Sequence, residues 1–117
     1  MSLTVRTEER GEMVVLSVGG ELDMATAPQL QDQITDLLER GHTRLVFDLA
    51  EVSFCDSTGL SVFVRAKNST DDAGGTVRLA APQRGVLRIL EVSGLVEVLG
   101  TYPSVDEAIA AEEHALD

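Results

Sequence analysis

Two stretches rich in β-forming residues, 3–7 and 13–18, open the chain on either side of Glu8-Glu9-Arg10-Gly11-Glu12. A charged segment with a glycine between two such stretches predicts a hairpin turn. Gly19-Gly20 predicts the end of the second strand, with Glu21-Leu22-Asp23 as a short acidic loop beyond it. Pro28 suits the first turn of a helix, where a missing backbone N–H is no loss. Leu30, Ile34, Leu37 and Leu38 then recur at helical spacing as one apolar stripe, and Gly41 stops the helix. Leu45-Val46-Phe47 is a continuous apolar run, the pattern of a central strand covered on both faces. Val52 and Phe54 carry the apolar pattern on to Cys55.

Asp56, Ser57 and Thr58 follow, all residues whose side-chain oxygens cap helix N-termini. Leu60, Phe63, Val64 and Lys67 stand at i, i+3, i+4 and i+7. They predict a second helix, with the aliphatic stem of Lys67 along its apolar edge. Asp72-Ala73-Gly74-Gly75 closes it, and residues 76–80 alternate as a strand with Val77 and Leu79 on one face. Pro82 opens a third helix carrying Val86, Leu87 and Leu90, which ends near Gly94. Val96 and Val98 predict a last short strand. Ser104-Val105-Asp106-Glu107 has the form of a capping box and starts a final helix bearing Val105, Ala108, Ile109, Glu112 and Leu116. The order β-β-α-β-α-β-α-β-α predicts an α/β fold. Its sheet is mixed and mostly parallel, with an N-terminal hairpin, about four helices and right-handed crossovers.

Charge narrows the partners. Twenty acidic residues against nine Lys plus Arg give a formal net charge of −11. Direct binding to nucleic acid is disfavoured, because phosphate contacts need a basic surface, and so is an anionic membrane. Hydrophobic residues make up 44% of the chain and aromatics only 3%, so one core of ordinary size is built from Val, Leu, Ile and Ala. The 117 residues suit one domain, 1–117, without linker or repeat. Cys55 is the single cysteine, which rules out an internal disulfide and fits a reducing cytoplasm. No charged start leads into an apolar signal segment, and the apolar runs fall far short of the ~20 residues that span a bilayer. A soluble, cytoplasmic protein without a membrane partner is expected.

In an open α/β sheet, functional groups gather beyond the carboxyl ends of strands. Cys55-Asp56-Ser57-Thr58-Gly59-Leu60 occupies such a place, and enzymatic readings of it fail one by one. A cysteine phosphatase loop needs an arginine six residues after the cysteine, but position 61 is Ser. A serine-hydrolase elbow needs Gly-x-Ser-x-Gly; Gly59 fits, while Cys55 stands where the first glycine belongs. The only imidazoles are His42, near a strand start, and His114, near the C-terminus. A response-regulator reading takes Asp48, at a strand end, as phosphoacceptor. It also needs an acidic pair after the first strand and a lysine near a later strand end. Glu21 and Asp23 follow the second strand instead, and residues 79–83 hold no lysine. No phosphate loop and no His/Cys cluster with metal spacing is present. Neither an enzyme nor a cofactor is therefore expected. What the segment offers is the Ser57 hydroxyl at or near a helix's first turn, either as a cap worth ~1 kcal/mol or as an acceptor.

Asp56-Ser57-Thr58-Gly59-Leu60, preceded by Val52-Ser53-Phe54, resembles the phosphorylation motif of STAS-domain anti-anti-sigma factors. Gly20-Glu21-Leu22-Asp23 and Ser93-Gly94-Leu95 match the same family at the same spacing, and the element order agrees over nearly the whole chain. The resemblance implies a STAS fold and an anti-sigma factor antagonist. In that family the serine after the motif aspartate is phosphorylated, which here is Ser57. The kinase is the partner itself, an anti-sigma factor with a histidine-kinase-like ATP-binding fold. The unphosphorylated antagonist binds it and frees the sigma factor, phosphorylation releases the antagonist, and a metal-dependent serine phosphatase restores it. Two alternatives stand beside this reading. One is a STAS scaffold subunit of another signalling complex or of a transport system; the other is a small phosphotransfer enzyme that turns over without a partner.

Around Ser57, each residue has a functional and a plain role. Asp56 orients the hydroxyl or meets the kinase's cations, caps the helix, or does both. Asp23 lies beside Ser57 or is an ordinary turn carboxylate. Gly59 admits a partner backbone or tolerates a tight turn. Thr58 is a second acceptor or a first-turn residue. Ser61 and Arg65 face outward from the second helix, as partner contacts or as a solvated face. Cys55 reads as core packing, and Asp32, Asp36 and Glu39 read as the solvated face of the first helix.

Overall fold

The computed structural model describes the backbone of residues 2–116 and the side chains of residues 2–111. Nine elements follow one another: β1 (Leu3–Arg10), β2 (Met13–Leu22), α1 (Ala27–Glu39), β3 (Arg44–Cys55), α2 (Ser57–Asp72), β4 (Thr76–Ala80), α3 (Arg84–Val92), β5 (Thr101–Tyr102) and α4 (Val105–Leu116). They form one five-stranded sheet in the order β1-β2-β3-β4-β5, antiparallel between β1 and β2 and parallel elsewhere. This is the mixed, mostly parallel α/β architecture expected from the element order.

Side-chain alternation divides the sheet into two faces. Val14, Leu16 and Val18 of β2, Leu45, Phe47 and Leu49 of β3, and Val77 and Leu79 of β4 pack under α1, α2 and α3. Met13, Val15, Val46 and Ala80 point the other way, against Ala108 and Ile109 of α4. Buried on both faces, β3 needs the unbroken run Leu45-Val46-Phe47. Phe47 meets Phe63 of α2 edge-on, with ring centroids 5.1 Å apart, an arrangement worth ~0.5–1.5 kcal/mol beyond its area. The α1 stripe enters the core through Leu30, Ile34 and Leu37, with Leu38 at its edge. Val62 and Ala66 are buried on α2 as well, although they fall outside the expected spacing; Val64 and Lys67 lie at the margin. The capping box forms, with Ser104 Oγ accepting the Glu107 amide at 3.1 Å. Glu112 and Leu116 lie outside the described side chains.

Three boundaries differ from the sequence pattern. The hairpin turn is only Gly11-Glu12, because Arg10 already pairs with Met13 and the residues from Glu8 to Arg10 belong to β1. Strand β2 does not stop at Gly19-Gly20 but runs to Leu22. Gly20 takes φ +98°, and a Cβ on Gly19 would come within 2.9 Å of Thr4 Oγ1, so the glycines fit irregular pairing and do not end the strand. The last strand is Thr101–Tyr102, not Val96 and Val98. Leu99 is the buried residue there and donates its amide to Leu95 four residues back, so that segment turns helically while Val98 faces solvent.

Candidate functional site

The site is set by two irregularities in β3. Ser17 stands opposite Asp48 but Gly19 opposite Glu51, and Gly20 opposite Val52 but Glu21 opposite Phe54. Each shift inserts one extra residue into β3, and a one-residue slip turns every later side chain over. The buried positions accordingly pass from a spacing of two to a spacing of three: Leu45, Phe47 and Leu49, then Val52 and Cys55. Phe54, which continues the apolar pattern of the sequence, is 46% exposed as a result. Asp48 is not at a strand end either. It lies within β3 at the first shift, its carboxylate accepting the Ala50 amide at 3.1 Å, away from where a response-regulator phosphoacceptor would stand.

The second shift brings Cys55 beside Leu22, so β2 and β3 end together. The Asp56 amide donates to the Leu22 carbonyl at 3.2 Å, tying the start of α2 to the end of β2. Asp56 is the N-cap of α2, its carboxylate accepting the Gly59 amide at 3.0 Å. Ser57 is thus the first helical residue and not the cap. It is exposed, and among the described residues its hydroxyl has no hydrogen-bond partner. Ser61 and Arg65 are exposed on the same helical face, one and two turns on. The Ser61 hydroxyl donates back to the Ser57 carbonyl at 2.9 Å.

Gly59 is not a turn residue: it is buried within α2. A Cβ there would come within 2.8 Å of both Cys55 Sγ and Leu22 Cγ, so only glycine lets the helix sit this close to β2 and β3. Cys55 is buried, and burial foremost, with the charge of Asp56 second, pushes its thiol up to about 12. It packs and stays protonated.

Asp23 reaches the same edge of the sheet but turns inward. Its Oδ1 accepts the Ala25 and Thr26 amides at 2.9 and 3.1 Å, and Thr26 Oγ1 donates to the Glu21 carbonyl at 2.7 Å. This closed turn pushes Met24 into solvent, 76% exposed. Met24 joins half-buried Thr58, buried Val62 and exposed Arg65 along a groove between α1 and α2. A second groove, about 500 Å³, runs from Ser57 and Ser61 past Leu60 and Arg65 to Ser93 and Leu95 after α3. Sequence reasoning did not assign Met24, Ser93 or Leu95 to the site. The Ser93-Gly94-Leu95 motif was the available signal for the last two; nothing in the pattern marked Met24. His42 lies before β3, at the sheet's other end, 3.7 Å from a Glu9 carboxylate oxygen. His114 is outside the described side chains. Among the described residues no group of three or more His, Cys, Asp or Glu is placed to hold a metal ion, and no helix is long and apolar enough to cross a membrane.

The model of the STAS domain matches residues 4–108, a span that holds β1 from its second residue, the other four strands, the first three helices and the start of α4. The chain belongs to the STAS domain family. An anti-sigma-B factor antagonist of Bacillus subtilis is 29% identical over 99 residues, which are 85% of this STAS domain protein and 90% of the relative. The crystal structure of an anti-sigma factor antagonist from Mycobacterium paratuberculosis superposes with a TM-score of 0.86 at 31% identity, covering 94% and 93% of the two chains. A Thermotoga maritima protein reaches a TM-score of 0.87 at 25% identity, covering 92% of each. In this STAS domain the exposed serine, the locked aspartate and the two grooves lie together at the carboxyl edge of β2 and β3.

Proposed function

We propose that this STAS domain is an anti-sigma factor antagonist whose binding to a kinase-type anti-sigma factor is switched off by phosphorylation of Ser57. The observation that carries the reading is the contrast between neighbours. Asp56 is fixed by the Gly59 amide and Cys55 is sealed in the core, while the Ser57 hydroxyl stands exposed at the first helical position. Antagonists among the similar proteins favour the same function. The partner is an anti-sigma factor serine kinase with a histidine-kinase-like fold, and a metal-dependent serine phosphatase reverses the modification.

The proposed contact surface centres on Ser57 and includes Thr58, Ser61 and Arg65, with Asp56 close behind. Asp23 contributes by shaping the loop that presents Met24. Gly59 contributes only by letting α2 pack close. A phosphate on Ser57 adds about −1.5 to −2 charges at neutral pH. The α2 N-terminus favours an anion there, by ~0.3–1 kcal/mol, so the fold tolerates the group. The interface does not: the new charge adjoins Asp56 and must be desolvated on docking. A loss of ~2.7 kcal/mol weakens binding about 100-fold.

Intact mass after incubation with ATP and histidine-kinase-like anti-sigma proteins of the same organism tests this, with Ser57→Ala in parallel. The expected result is a gain of one phosphate that the variant abolishes. A gain that survives Ser57→Ala would assign the wrong residue. No gain with any candidate would favour the scaffold or transport reading.

A further inference from the structure

We propose that β1 is the seam of a two-fold homodimer, in which the β1 strands of two copies pair antiparallel about Thr7 and join both sheets into one. The inference rests on the sheet edge alone and stands apart from the Ser57 site. Strand β1 is eight residues long, and among the described residues no strand pairs with its outer side.

The ladder with β2 decides which backbone groups face outward. The Glu21 amide donates to the Ser2 carbonyl at 3.1 Å, and Leu3 stands opposite Gly20, so Ser2 and Glu21 form a hydrogen-bonded pair. Such pairs alternate along an antiparallel ladder. Thr4, Arg6, Glu8 and Arg10 therefore turn their N–H and C=O groups toward β2, while Leu3, Val5, Thr7 and Glu9 turn theirs outward. The Leu3 carbonyl already accepts Gln29 Nε2 at 3.0 Å. A second strand finds its partners on Val5, Thr7 and Glu9, and Thr7 is the centre of that set.

Charge selects the same register. With Thr7 on the axis, Val5 faces Glu9 of the second copy in hydrogen-bonded pairs. Arg6 then faces Glu8 of the second copy in the intervening pairs, where side chains approach closest. The two-fold makes this contact twice. Moving the axis to Arg6 would set Arg6 against Arg6. Moving it to Glu8 would set Glu8 against Glu8 and Arg6 against Arg10. Opposite charges directly across a ladder stabilise it and like charges destabilise it. Charged residues on an edge strand ordinarily deter pairing, but Arg6-Thr7-Glu8 read antiparallel is its own complement. Arg6 and Glu8 are exposed, on the face that α4 covers over β3, β4 and β5.

Sedimentation equilibrium of the full chain, from micromolar to submillimolar concentration at near-physiological salt, tests the seam. The samples are wild type, Arg6→Glu, the double reversal Arg6→Glu with Glu8→Arg, and Thr7→Pro. The wild type is expected to show a reversible monomer–dimer equilibrium. Arg6→Glu sets glutamate against glutamate twice and weakens it about tenfold or more, and the double reversal restores it. Thr7→Pro removes an outward N–H without removing a bond to β2 and abolishes the dimer; circular dichroism checks its fold, and the charge variants decide the matter if it does not fold. A wild type that stays monomeric, a dimer that Arg6→Glu leaves intact, or a double reversal that fails to restore it overturns the proposal.

Discussion

The carboxylate of Asp56 accepts the Gly59 amide at 3.0 Å, so Asp56, and not Ser57, caps α2. The cap's contribution to stability is thereby separated from the neighbouring Ser57 hydroxyl, the proposed acceptor. Asp56→Ala is expected to cost ~0.5–2 kcal/mol in urea unfolding, because the N3 amide loses its acceptor. Ser57→Ala, at an exposed position, should stay within about 0.5 kcal/mol of wild type. A clear loss in Ser57→Ala would mean that the hydroxyl supports the helix and is not held ready for modification.

A permanent charge at position 57 separates repulsion at the interface from damage to the fold. Ser57→Glu places an anion in the first turn of α2, where the helix dipole favours it by ~0.3–1 kcal/mol. The melting temperature should hold or rise slightly while affinity for the proposed anti-sigma partner falls. Calorimetric melting and titration on the same preparation check both. A melting temperature that drops together with affinity would mean that the charge acts by unfolding α2.

Much of this arrangement was legible in the sequence because helices α1 to α4 each carry a period near four, β2 and β3 carry unbroken apolar runs and β4 alternates. Asp56 to Leu60 could be placed at a strand-to-helix junction for the same reason. Two kinds of feature were not legible. The shifts in β3 change a spacing of two into a spacing of three, so Phe54 continues the apolar pattern although the chain turns it outward; only pairing with β2 reveals the slip. Val96 and Val98 alternate like a strand, yet Leu95 and Leu99 at helical spacing compete, and burying Leu99 wins. At the site, Gly59 read as a turn or docking glycine because its neighbours Cys55 and Leu22 come together only in three dimensions.

That contact makes Gly59 a sharp test of the packing. In an open helix Gly→Ala would gain up to ~1 kcal/mol from backbone entropy. Here the added methyl meets Cys55 Sγ and Leu22 Cγ at 2.8 Å and the Leu22 carbonyl at 3.0 Å. The carbonyl is held by the Asp56 amide, so the wall cannot simply move aside. Overpacking of this kind costs ~1–3 kcal/mol, and Gly59→Ala is expected to unfold at lower urea than wild type. A variant more stable than wild type would show that Leu22 and Cys55 yield freely and that α2 is not pinned to the strand ends.

Cys55 gives the fold a dependence on alkaline pH whose sign follows from its surroundings. Burial, with Asp56 behind it, raises the thiol from 9.0 to about 12, so the folded chain keeps a proton that the unfolded chain releases earlier. The proton-binding difference is absent below pH 9.0, where both states hold it. As pH rises from there toward 12, ionisation of the unfolded thiol draws the equilibrium toward unfolding, and this contribution is lost progressively. Compared with Cys55→Ala, the wild type should therefore lose stability more steeply over that window, whatever the offset between them at neutral pH. Urea midpoints measured at intervals above pH 8 check the slope. Native protein at neutral pH should also alkylate far more slowly than unfolded protein, since the reactive thiolate is suppressed and buried. Parallel slopes for the two proteins, together with rapid native alkylation, would place Cys55 at an open surface and would remove the packed wall on which Gly59 and the start of α2 depend.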